Sequence, residues 1–199
     1  MNSSTRHIGF WLLLGAFFVA AGPALAHTGL HIGGGAGAGL VHPFLGIDHM
    51  LAMATVGALA AISGGRALWA LPRSFMSVMA LGGALGMAGV PLPAVEQGIA
   101  ASLIVFGALL ATRLGLPVPA AMAVVGAFAL FHGHAHGAEL PETGTETAYA
   151  AGFVLATGLL HLLGIGIGLG LARFQGWAVP LTRMAGGAVA AGGVMRLLA

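Results

Sequence analysis

The chain alternates long apolar runs with short polar or proline-bearing breaks. Six of the runs, 43 to 62, 70 to 90, 94 to 112, 117 to 136, 147 to 170 and 178 to 198, approach the roughly 17 to 25 residues that a helix needs to cross a bilayer. Their separators, SGGRALW, PLP, RLGLP, GAELPETGTE and ARFQGW, are short, which predicts one hairpin-connected bundle over 43–199 and not two domains. Ahead of them, residues 1–26 run from MNSSTRH through IGFWLLLGAFFVAA to a break at Gly22 and Pro23 and the ending ALA. A basic start, a short apolar stretch and an A-x-A site predict a cleavable signal peptide cut after Ala26, the alternative being an uncleaved first helix. Residues 27–42, with the glycine-rich HTGLHIGGGAGAG, read as a flexible extracytoplasmic lead-in. The expected fold is therefore all-α, an integral membrane bundle of six transmembrane helices behind a signal peptide.

Composition agrees with that pattern. Hydrophobic residues make up 58% of the 199 and charged residues 6%, against about 25% charged in a typical soluble domain. Formal net charge is only +2, too little to form a basic field for nucleic acid. The arginines instead report topology. If residue 43 begins outside the cytoplasm, Arg66, Arg73, Arg113, Arg173 and Arg183 all fall at cytoplasmic helix ends, as the positive-inside rule requires. Asp48, Glu96, Glu139, Glu142 and Glu146 fall at the opposite face, and Arg196 alone breaks the segregation. This predicts a multi-pass chain with its mature N-terminus and histidine clusters outside the cytoplasm; the expected setting is a bacterial inner membrane, with the clusters towards the periplasm and lipid as its surroundings.

Two absences narrow the chemistry. The lack of cysteine removes disulfides, thiolate sites and iron–sulfur clusters, so a metal must be held by nitrogen, oxygen or methionine sulfur. The lack of lysine removes the nucleotide-binding P-loop, and GIGIGLG at 164–170 has no phosphate-loop context. The many glycines read as helix-packing faces, with small-xxx-small pairs at Gly82 and Gly86, Gly164 and Gly168, and Gly166 and Gly170. Such faces serve contacts within a chain and between copies alike, so a homo-oligomer is compatible with them.

Histidine carries the candidate chemistry. In HPFLGIDH, Pro43 suits a first helical turn, with His42 at the helix start and His49 seven residues on. On an ideal helix those two would stand about 10.5 Å apart along the axis, too far for one ion unless Gly46 lets the segment unwind. Asp48 reads as an oxygen ligand or as the acceptor that fixes an imidazole tautomer. Met50 and Met53 read as packing. In FHGHAHGAE, His132 and His136 share a helix face one turn apart, whereas an extended strand would put His132, His134 and His136 on one side. The bland reading is a solvated loop with Gly133 and Gly137 as helix terminators. Both clusters meet the same membrane face, and ionisable groups in a membrane are functional candidates by default. His161 is either an inner station or a polar tie between helices. His27, as a free N-terminal residue after cleavage, chelates through its amine and imidazole, with His31 nearby.

With a cleavable signal and six spans, His42, Asp48 and His49 near the first helix and FHGHAHGAE at the fourth resemble the HupE/UreJ family of hydrogenase and urease accessory proteins, regarded as nickel permeases. The resemblance covers essentially the whole mature chain. It implies that His42, Asp48, His49, His132, His136 and Glu139 occupy the family's motif positions, that the transported ion is nickel, and that hydrogenase or urease maturation proteins are functional partners. Residue chemistry alone gives imidazole plus carboxylate, which also suits cobalt, copper(II) and zinc. The expected activity is secondary import of a divalent metal, without enzymatic turnover and without a permanently bound cofactor. Two other classes fit the same ligands. One is an intramembrane metallohydrolase with Glu139 as base, disfavoured by the absence of HExxH. The other is a metal receptor that binds without transporting.

Overall fold

In lipid an apolar chain must satisfy its backbone internally, which leaves helix as the regular structure open to segments of this length. The computed structural model describes residues 35–140, 145–174 and 176–199, all within the compact unit His31–Ala199. Among the described residues there are seven α-helices and no strand. They are α1 (Ala36–Val41), α2 (Ile47–Ser63), α3 (Ala67–Met87), α4 (Val95–Thr112), α5 (Val118–Ala138), α6 (Glu146–Leu171) and α7 (Ala178–Leu198), with a 3-10 turn at His42–Phe44 between α1 and α2. The expected signal peptide of residues 1–26, together with His27, His31 and Glu142, lies outside the described residues.

Helices α3 to α6 are each long and apolar enough to cross a membrane. The segment Ala36–Phe44 and α2, bent by 83°, count as a fifth if taken together as one broken span. The chain is a multi-pass membrane protein. Helix α7 has the extent expected for a sixth span, but it carries Arg183 and Arg196 and is not among the helices that qualify by length and composition.

The start of the bundle departs from expectation. The lead-in is helical from Ala36, because α1 packs on α6, where Gly39 lies against the backbone of Tyr149 and Gly152 against that of Ala36. This close backbone contact offsets the weak helix propensity of AGAGLV. Pro43 sits in the first turn of the 3-10 segment and not of α2, and Gly46, extended at φ −100 and ψ 110, separates the two. His42 and His49 therefore belong to different elements.

Glycine contacts fix how the helices run. Gly133 of α5 abuts the Met79 carbonyl of α3, and Gly137 abuts Gly83, so α3 and α5 are parallel. Gly164 abuts Ala54 and Gly168 faces Ala58 and Ala61, so α2 and α6 are parallel as well. Gly186 meets Gly107 and Ala111 while Gly193 meets Ala100 and Ile104, so α4 and α7 are antiparallel. These directions are those of an up-and-down bundle from α2 to α7. Gly133 and Gly137, read as terminators in the bland alternative, lie inside α5. Gly166 and Gly170 meet nothing within 4 Å among the described residues, so that pair forms no packing face with them, unlike the other two. Phe75, Phe106, Met53 and Leu103 fill the core, while Leu155, Leu159, Leu162 and Leu163 of α6 face outward. Apolar surface inside and out is what lipid as solvent permits.

Candidate metal path

The alternation gathers the start of α2, the end of α5, the start of α6 and the end of α7 at one end of the bundle. The loops holding Arg66, Arg113 and Arg173 lie at the other. The first of these ends is where the imidazoles meet. The 83° bend turns His42 back over the helix that follows, so His42 and His49 both reach His136, with ring centroids 4.9 and 4.3 Å away. The unwinding at Gly46 thus removes the separation that a continuous helix would impose. A Cβ at Gly46 would stand 3.0 Å from His49 Nδ1 and 3.1 Å from Asp48 Oδ1, so a larger residue would crowd the pair.

From His136 the rings continue inward. His49 stands edge-on to His132 at 4.8 Å, His132 meets Phe75 at 5.6 Å, and Phe75 meets His161 at 5.1 Å. His42, His136, His49, His132, Phe75 and His161 form a file from the bundle end to the middle of α6. Tyr149 and Phe153 flank the outer rings, with Phe153 4.4 Å from His136. His132 is fully buried and His161 is 1% exposed.

Hydrogen bonds set the ring orientations. Asp48, in the first turn of α2, accepts through Oδ1 from both the backbone N–H and ring Nδ1 of His49, each at 2.9 Å. A carboxylate only accepts, so Nδ1 carries a proton, and in the neutral ring Nε2 is then the lone pair. That Nε2 is buried with no hydrogen-bond partner among the described residues, as is Nε2 of His161, whose Nδ1 donates to the Thr157 carbonyl at 2.7 Å. A neutral imidazole held through one nitrogen and open at the other has the form of a metal ligand.

At the outer end, one ligand atom each from His42, His136 and Glu139 lie within 4.8 Å of one another. Metal–nitrogen and metal–oxygen bonds of about 2.0–2.2 Å allow ligands to stand at most about 4.4 Å apart across an ion, so small side-chain rotations would close this set. The six motif residues, Asp48 included, thus converge, with His161 one ring beyond. His134 does not converge. On a helix it points away from His132 and His136, and its Nε2 bonds the Val90 carbonyl at 2.7 Å, closing the α3–α4 loop. The extended alternative for HAH, which would have gathered all three, is overturned by the continuity of α5 to Ala138.

Arg196, the one arginine outside the charge pattern, has its partners at this end. Its Nε lies 3.4 Å from Asp48 Oδ2 and a terminal nitrogen 3.0 Å from Glu96 Oε2. Sequence reasoning left out Arg196, Phe75 and Ser102. Arg196 was signalled by its misplacement and Ser102 by being a lone hydroxyl in an apolar run, whereas nothing marks Phe75 among ten phenylalanines.

The model of the family described as HupE / UreJ protein matches residues 15–196. Protein HupE of Rhizobium leguminosarum bv. viciae is 50% identical over 175 residues, covering 88% of this chain and 90% of the relative. No solved structure matches. With a family match along nearly its whole length and a relative sharing half of the aligned residues, this chain belongs to the HupE/UreJ family.

Proposed function

We propose that the protein is a secondary permease that imports a divalent transition metal, nickel before others, for hydrogenase or urease maturation. The observation that carries this reading is the file of imidazoles running from the bundle end to His161, each ring within reach of the next or separated from it only by Phe75. His42, His136 and Glu139 take up the ion at the mouth. His49 and His132 then exchange nitrogen for water around it, and His161 receives it beyond Phe75. Nickel is drawn from the family, since the donor set itself admits cobalt, copper(II) and zinc. The ion is cargo, and the path has no need of a resident cofactor.

The charge pattern supports six spans with the arginine loops in the cytoplasm, the histidine end in the periplasm, and residues 1–26 as the signal that starts this topology. An inside-negative potential favours entry of a doubly charged ion by about 4.6 kcal/mol per 100 mV, some three decades in concentration, so no ATP is required. Uptake of radioactive nickel into cells expressing the protein, beside His42→Ala and Asp48→Asn matched for membrane abundance, tests the reading. Loss of uptake in both variants is expected. Unchanged uptake in both would return these residues to helix packing.

A further inference from the structure

His132 is held differently from the other rings of the file. Its Nε2 lies 2.9 Å from the hydroxyl of Ser102 on α4, and that hydroxyl lies 2.6 Å from the Ile99 carbonyl. A carbonyl only accepts, so the single serine proton is committed to Ile99 and the hydroxyl has only a lone pair to offer His132. His132 must then donate from Nε2, which leaves Nδ1 of the neutral ring without hydrogen. Nδ1 is buried and has no hydrogen-bond partner among the described residues. A buried acceptor left without a partner is costly unless a ligand uses it.

We propose that Ser102 is a positioning residue that locks His132 in the Nε2–H tautomer and thereby presents Nδ1 to the passing ion. The opposite tautomer would turn an N–H towards the ion, which cannot ligate and repels a cation. Asp48 does the same for His49 from the neighbouring position and the Thr157 carbonyl for His161 from the same helix. Of these three partners it is Ser102 that reaches its histidine from another helix, so the tautomer of His132 depends on the seating of α4 against α5. This role rests on the metal-path reading of the histidine file.

The test separates the two. Full-length protein, metal-free in lipid and carrying 15N-labelled histidine, is examined by solid-state NMR, where protonated and bare imidazole nitrogens resonate far apart. The His132 signal is assigned by its loss in His132→Ala. Wild type is expected to show His132 protonated at Nε2. Ser102→Ala, which removes only the oxygen, is expected to lose that preference, and Ser102→Thr, which keeps the hydroxyl, to retain it. Nickel uptake should follow, with KM raised about tenfold in Ser102→Ala and restored in Ser102→Thr. A wild-type ring protonated at Nδ1, or a tautomer unmoved in Ser102→Ala, overturns the role of Ser102 whatever uptake does. A tautomer that changes while uptake does not would remove His132 from the path and leave the lock standing.

Discussion

Asp48 faces two cationic or proton-bearing partners at once, with Oδ1 on His49 and Oδ2 towards Arg196. Replacing it by asparagine keeps an acceptor for His49 but turns a charge-assisted bond into a neutral one and leaves Arg196 to Glu96. Nickel uptake in Asp48→Asn should fall about tenfold or more at equal membrane abundance, read as initial rates. His134 gives the contrasting outcome. His134→Ala should leave the nickel KM unchanged while lowering stability by about 1 kcal/mol through loss of the bond to Val90, seen as a lower Tm in detergent. His136→Ala should raise KM or abolish uptake. The motif residues were legible because ionisable groups stand out in so apolar a chain, and the helical one of two readings of FHGHAHGAE paired His132 with His136. Which nitrogen binds what was not legible, because Ser102, Val90 and Arg196 become neighbours only once helices distant in sequence pack.

At the scale of the element, helix bounds from 67 to 198 fall within a few residues of the hydropathy breaks, since length and apolarity are what the membrane constrains. The start of the bundle was less legible. Glycine content argued for a flexible segment at 36–41, whereas contact with α6 decides, and the break at Gly46 was only one of two readings of HPFLGIDH. The glycines themselves make a sharp comparison. A Cβ at Gly133 would collide with the Met79 carbonyl, and moving α5 to relieve it would shift His132 and His136 together. Gly133→Val should cost about 1–3 kcal/mol by overpacking and reduce membrane abundance, whereas Gly166→Ala, which meets nothing within 4 Å among the described residues, should be tolerated. Quantitative immunoblots of membrane fractions distinguish the two.

For the molecule as a whole, the segregation of arginines from carboxylates predicts one orientation of the bundle in the membrane. The absence of native cysteine makes that orientation directly measurable. Thr145→Cys should react with a membrane-impermeant maleimide added from the periplasmic side, and Gly115→Cys only after the membrane is opened. Uptake should weaken as the medium is acidified from pH 7.5 to 5.5, because imidazoles of intrinsic pKa about 6.5 bind protons in competition with metal. A flat rate over that range would argue against histidine ligation. The pairing of Arg196 with Asp48 and Glu96 also bears on biogenesis. Asp48 enters the membrane with α2, and its guanidinium partner follows only when α7 does, 148 residues later along the chain. Until then the carboxylate has no such partner, and an unpaired charge at membrane depth is costly. The ion pair thus closes the mouth last: a nascent chain stalled before α7 holds an aspartate whose Oδ1 is already bonded by His49 but whose Oδ2 still lacks its guanidinium.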